Sequence, residues 1–380
     1  MVAPKRLTVM QLLPALQAGG VEQTTLEVTQ ALVQAGHRAL VVSAGGRMVP
    51  RIEAAGGEHF ELDIGRKSLR TLLQVRALRA LIRSQQPDIV HARSRLPAWV
   101  ARFALQGLPA TSRPHWLTTV HGLNSPSAYS RVLTTGERVI CVSTTVRDYV
   151  RAHYPQVPAD RLYLIEPGMD PLQFPRTDHD ARARQRAQWA QQLPALGAAG
   201  HGGPLLLLPG RGTRLKGHAD GIRLLAALRA EHPHAVLWLL GADDPDRHDY
   251  LTELRALAAA LGVHDRVVIS PPDRAIASAM AAADLVLQLS RKPEAFGRTV
   301  IEALQTGTPV LGWDHGGVGA LLRELYPQGA APAFDETALA AQALQLLKNP
   351  PATPESVPYT LERMQQRSLS LYQDLMHNTP

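Results

Sequence analysis

Residues 293–303 read Pro-Glu-Ala-Phe-Gly-Arg-Thr-Val-Ile-Glu-Ala, after an apolar run at 285–289 and before Thr-Gly-Thr-Pro at 306–309. This order predicts a strand over 285–289, a loop, and a helix from about Gly297 to Gln305 that stops at Gly307. Glu294 then lies in the loop. Glu302 lies about one and a half turns inside the helix, at roughly 3.6 residues per turn. The first N–H groups of a helix have no partner within it, and they favour an anion; here they include Phe296 and Gly297. Two carboxylates beside an anion site suit hydroxyl groups, because each can accept from vicinal O–H groups of a sugar or a ribose. Two solvated glutamates at a helix start are the plain alternative.

The same alternation runs outward in both directions. In the first half, β-rich runs occupy 7–13, 38–43, 89–92, 116–120, 138–142 and 162–165. Amphipathic stretches at 22–35, 69–85 and 144–152 lie between them, and Gly36 is a C-terminal stop for the first. Lys5-Arg6 before an apolar start resembles a signal peptide, but the Gly pair and helical pattern that follow favour a first buried strand. Residues 177–203 carry closely spaced charge, then Ala, Gly and Pro, and read as a linker. Strands then resume at 205–209, 235–240, 266–269, 285–289 and 309–312. Strands separated by helices imply parallel sheets. The expected class is α/β, with two doubly wound Rossmann-like domains facing across a cleft. Such sheets bind ligands at the carboxyl ends of their strands. The expected boundaries are 1–176, a linker region at 177–204, 205–358, and a C-terminal helix within 359–380 that returns to the first domain.

Length and composition set the limits. The chain has 380 residues, of which 45% are apolar and 19% charged, so it has ample core and is not mainly disordered. Aromatics at 5% argue against a stacking surface for single-stranded nucleic acid. Cys141 is the single cysteine; it excludes an internal disulfide and a multi-cysteine zinc site, and it reads as buried filler. No apolar run reaches the ~18 residues of a membrane-spanning helix. Residues 1–176 hold 21 Lys and Arg against 12 Asp and Glu, and the remainder 19 against 21. A basic first half suits an anionic partner, or a solvated Arg-rich surface. The stretch from Arg66-Lys67 to Arg83, with Leu69, Leu72 and Leu73 as an apolar stripe, reads as a packed helix with a basic outer face. Binding to an anionic lipid surface is its sharper reading.

Two loops look ready for anions. Gly19-Gly20-Val21-Glu22 follows the first strand, without the third glycine of the dinucleotide motif. Gly210-Arg211-Gly212 and Lys216-Gly217-His218 follow the strand at 205–209 and put two cations over one loop. Arg forks onto phosphate oxygens and Lys adds a point charge, though no P-loop is formed. Asp243-Asp244-Pro-Asp246 reads as a surface turn.

Taken together, the PEAFGRTVIEA segment, TGTPVLGWDHGG at 306–317, Gly19–Glu22, Asp88-Ile-Val-His91, the Gly210-Arg211 and Lys216-Gly217 pair, and Leu240-Gly-Ala-Asp243 resemble, in order, the retaining glycosyltransferases of family 4. These have the GT-B fold. The resemblance spans about residues 7 to 345. It implies that Arg211 and Lys216 hold the diphosphate of a nucleotide sugar, with N–H groups from Phe296 and Gly297. It implies Glu302 on the ribose, Glu294 on donor-sugar hydroxyls, Gly20 approaching the donor from the other domain, and His121, in Thr-Thr-Val-His-Gly at 118–122, beside the donor sugar. Two departures stand out: Glu166-Pro-Gly-Met-Asp170 replaces the usual Asn-Gly-Val-Asp, and the loop 210–216 is short.

The activity so implied is sugar transfer with retention and without metal or other cofactor. The donor is a UDP-sugar in preference to a GDP-sugar, and the acceptor a lipid-linked or lipopolysaccharide-type glycan. Closure of the domains would exclude water. The location implied is cytoplasmic, at the inner face of the membrane, with an anionic membrane surface as a possible partner and no nucleic acid. The residues around the base, near Ser270-Pro-Pro272, do not choose the nucleotide. A nucleotide-sugar epimerase or hydrolase of the same fold is the alternative. A basic nucleic-acid-binding protein is a more distant one, since no motif supports it.

Overall fold

A computed structural model describes residues 6–17, 19–66, 68, 71, 73–243, 248–273 and 275–377, and only the backbone at 198–201. The chain divides into two compact units, Met1–Gly168 with Leu361–Pro380, and Met169–Thr360.

The first unit carries strands β1 (Thr8–Leu12), β2 (Arg38–Ser43), β3 (Glu58–Glu61), β4 (Ile89–Ala92), β5 (His115–Val120), β6 (Arg138–Cys141) and β7 (Leu162–Leu164). They form one parallel sheet in the order β3-β2-β1-β4-β5-β6-β7. Helices α1 (Gly20–Gln34), α2 (Val49–Ala54), α3 (Gln74–Gln85), α4 (Arg95–Gln106) and α5 (Thr144–His153) make the crossovers. The strands of a parallel sheet are covered on both faces, and β1, β4 and β6 are correspondingly buried almost throughout. The Cys141 thiol is buried, and burial pushes its pKa up to about 12. It behaves as core.

The second unit carries α6 (His179–Gln192), β8 (Leu205–Pro209), α7 (His218–Leu228), β9 (Val236–Leu240), α8 (His248–Ala260), β10 (Val267–Ser270) and α9 (Ile276–Ala282). It continues with β11 (Leu285–Gln288), α10 (Arg298–Gln305), β12 (Val310–Trp313), α11 (Gly316–Leu325), β13 (Ala330–Ala331) and α12 (Glu336–Lys348). Its sheet is also parallel, in the order β10-β9-β8-β11-β12-β13. In both sheets the strand order reverses beside the unit's first strand, between β1 and β4 and between β8 and β11. An open α/β sheet leaves its ligand crevice at such a point.

Three sequence expectations are corrected. The boundary falls at 168/169 rather than 176, because Met169 and Phe174 bury in the second unit's core. Much of the 177–204 stretch is not a linker: α6 fills it. Asp178 caps that helix, Trp189 sits edge-on to Trp238 at 4.9 Å, and Arg186 pairs with Asp284 at 2.6 Å. Its Arg-rich outer face hid it, since only Trp189 is buried. The basic helix of the first unit is α3, which buries Leu78 and Ile82, while Leu73 is 67% exposed. Lys67, Leu69, Arg70 and Leu72 lie outside the described residues, as do Asp244 and Asp246.

The last helix, α13 (Leu361–His377), belongs to the first unit. Met364, Leu371, Tyr372 and Leu375 join the core of Val9, Val28 and Leu117, and Arg367 donates to Glu166 at 3.0 Å. No described helix is long and apolar enough to cross a membrane.

Candidate functional site

In the second unit the loops after β8 and β11 meet at the switch point. Arg291 N–H donates to Leu215 O at 2.9 Å, which zips the two loops together. Arg291 also reaches Asp220 of α7 at 2.6 Å. Gly217 has φ 75°, and a Cβ there would lie 1.9 Å from Leu289 O, so only glycine lets the Lys216 loop approach β11 so closely.

This closeness joins two of the sequence-derived residues. Lys216 Nζ donates to Glu294 Oε1 at 2.6 Å. The Ser290 hydroxyl has one proton for two acceptors, Glu294 Oε1 at 2.6 Å and Gln288 Oε1 at 2.9 Å. Burial pushes the Glu294 carboxyl up, but the Lys216 charge and hydrogen bonds from Lys216, Ser290 and Gln288 outweigh it. The net pKa lies below the usual carboxylate range, so Glu294 is ionised at neutral pH. Its backbone is clamped too. Gly317 N–H donates to Glu294 O at 2.7 Å, and His315 Nε2–H donates to Ser290 O at 2.7 Å. A Cβ on Gly317 would strike Phe296 O at 2.4 Å.

The other residues of this unit take different partners. Glu302 receives Arg298 Nε at 3.3 Å across one turn of α10. Phe296 is buried with its ring edge-on to Tyr359 at 5.4 Å, and Gly297 is the N-cap of α10. Arg211 is exposed on the β8–α7 loop and makes no bond to Lys216 or Glu294. Arg214 is turned away onto Glu253 and the Tyr250 ring. Ser270, suggested near the base, accepts from Trp238 Nε1 at 2.8 Å in the core. A larger cavity of about 930 Å³ lies at the opposite, amino-end edge of this sheet, around Arg176, Arg182 and Pro309, away from all these residues.

Gly20 and His121 belong to the first unit. Gly20 opens α1, with open space where a Cβ would be. His121 follows β5 and lines a pocket of about 340 Å³ with Arg93, Arg95, Asn124 and Tyr129. Arg93 Nη1 donates to His121 Nε2 at 3.4 Å. Burial, then the Arg93 charge, lowers the His121 pKa to about 3, so the ring is neutral. Sequence reasoning missed Ser290, Gln288, His315 and Arg93. Each stands within two residues of a strand's carboxyl end, and that position is the signal that could have found them.

This geometry agrees with the sequence comparisons. Residues 18–172 match the model of Glycosyltransferase Family 4, and residues 195–363 that of Glycosyl transferases group 1. The chain belongs to the family-4-like glycosyltransferases. It is similar to the D-inositol 3-phosphate glycosyltransferase of Acidothermus cellulolyticus, 30% identical over 62% of this chain and 54% of that protein. The chain thus spans about half the length of the first curated relatives it matches. Among solved structures, a glycosyltransferase from Rickettsia africae superposes with a TM-score of 0.80 at 24% identity, covering 98% of this chain and 100% of that one. The Anabaena HepE structure in complex with UDP and glucose gives 0.73 at 20% identity, covering 97% and 99%. The fold of the chain is GT-B.

Proposed function

We propose that this protein transfers a sugar, with retention, from a nucleoside-diphosphate sugar to a lipid-linked or lipopolysaccharide-type glycan acceptor. The observation that carries the reading is the half-buried Lys216–Glu294 pair at the β8/β11 switch point, beside the start of α10. Lys216 would exchange Glu294 for the diphosphate, joined by Arg211 and the N–H groups of Phe296 and Gly297. Glu294, released but still held by Ser290, would accept hydrogen bonds from the donor sugar. Glu302 would take the ribose, Gly20 would approach the donor, and His121 would contact its sugar.

In the transfer, the bond from the anomeric carbon to the leaving phosphate breaks, and a bond to the acceptor oxygen forms on the same face. The acceptor proton passes to the leaving phosphate. Lys216, Arg211 and the helix start stabilise the charge that develops there. No metal is required in this scheme. UDP-sugars are favoured over GDP-sugars, and the UDP complex of HepE supports that choice. The excess of Lys and Arg over residues 1–176, and relatives named for a phosphorylated acceptor, support an anionic acceptor at the inner face of the cytoplasmic membrane.

Thermal shift and calorimetry with UDP, GDP, ADP and dTDP test the reading, without metal and then with magnesium. Selective stabilisation by one diphosphate is the expected result. Absence of any stabilisation would remove the donor site and the function with it.

A further inference from the structure

We propose that Arg93, held by Gln11, is a positioning residue that presents His121 to a substrate oxygen as a neutral imidazole donating through Nδ1. The role of His121 toward substrate rests on the glycosyl-transfer reading; its tautomer does not.

The proton positions follow from what each group can do. A guanidinium only donates. Arg93 is 3% exposed, and Gln11 Oε1 accepts from its Nε at 2.9 Å and its Nη2 at 2.6 Å. Gln11 therefore points its amide nitrogen the other way, to Thr29 Oγ1 at 3.0 Å and Thr25 O at 3.3 Å, which fixes its orientation. The remaining guanidinium nitrogen, Arg93 Nη1, is directed at His121 Nε2 at 3.4 Å. An imidazole that accepts at Nε2 carries its proton at Nδ1.

Its hydrogen-bond partners, Gln11 and His121, are neutral. A buried cation tied in this way is worth more as a fixed donor than as a source of stability. His121 borders the pocket shared with Arg95, Asn124 and Tyr129, and no described residue accepts from its Nδ1. A fixed N–H donor there suits a hydroxyl oxygen of a sugar. A freely rotating or protonated ring would hold that oxygen less well.

The test uses the full chain, labelled with ¹⁵N-histidine, as wild type, Gln11→Met and Arg93→Lys. Long-range ¹⁵N–¹H spectra read the His121 tautomer directly. The wild type should carry the proton on Nδ1. Gln11→Met, which keeps the length of the side chain and removes the acceptor oxygen, should give mixed tautomers, and kcat should fall roughly ten-fold at unchanged donor KM. Arg93→Lys keeps the charge and loses the fork, so it should do the same or more. An Nε2–H tautomer in the wild type overturns the proposal. So does a Gln11→Met protein with the wild-type tautomer and kcat. Failure of wild-type protein to bind any nucleoside diphosphate would sink the glycosyl-transfer reading instead, and the spectra would still decide the tautomer.

Discussion

The two units hold a cation at the carboxyl end of a sheet in opposite ways. In the second, Lys216 is neutralised by Glu294 at 2.6 Å, an ion pair that a diphosphate would have to break under the proposed function. In the first, Arg93 is shared between two neutral acceptors, Gln11 and His121, and nothing needs to be broken for it to act. The second unit's site is therefore an exchangeable lock. The first unit's is a fixed frame. An ion pair surrenders its partner to a better anion, whereas a fully directed hydrogen-bond network resists rearrangement.

The sharpest way to break this contrast is Glu294→Ala. It removes the carboxylate proposed for the donor sugar and frees Lys216. Turnover should fall about 10²-fold or more, while calorimetry should show UDP binding unchanged or tighter. Parallel loss of both would mean that Glu294 shapes the loop rather than competes for Lys216. Lys216→Ala should act the other way round. Loss of a charge-assisted contact of about 1.5–3 kcal/mol weakens nucleoside-diphosphate binding about ten- to hundred-fold. Its Glu294 carboxyl, left buried without a cation, should titrate at higher pH than in the wild type, and ¹³C spectra of the labelled carboxylate would show this.

Acid gives a smaller, graded difference between the units. Burial holds His37, His59, His91 and His121 of the first unit below the usual histidine pKa, as it does His218 of the second, near 4. Each takes a proton near pH 6.5 when unfolded but only lower when folded, so unfolding consumes protons below 6.5. Stability should drop on acidification by about 1.4 kcal/mol per pH unit for each fully displaced group. Hydrogen exchange at pH 5 and pH 7, each corrected for intrinsic rate, should therefore show protection lost first in the first unit's sheet. Equal loss in both units would deny the asymmetry.

Most of the architecture could be read from local pattern. The strands at 38–43, 89–92 and 205–209 coincide with β2, β4 and β8, because fully buried parallel strands are short, apolar and flanked by turn residues. β3 was not legible, since Glu-His-Phe-Glu at a sheet edge has neither apolar alternation nor a buried face. The two-residue β13 is too short for any pattern. In the site, Glu294, Glu302, Lys216 and His121 were legible because they sit in a spaced motif or at a strand end. Ser290 and Gln288 carried no spacing of their own, and Arg93 looked like one more arginine of a basic half.

What the sequence determined by itself was the α/β rhythm, the division into two sheets and the residue types gathered at their carboxyl ends. Backbone periodicity and turn chemistry act over a few residues, so they can be read locally. Only tertiary structure decided that Lys216 closes on Glu294, that α6 is packed structure and not linker, and that Tyr372 reaches back to His91. Those contacts depend on the direction of single side chains across large sequence separations. No local propensity encodes that direction, because it is set by which donors and acceptors are left when the sheets and helices have packed.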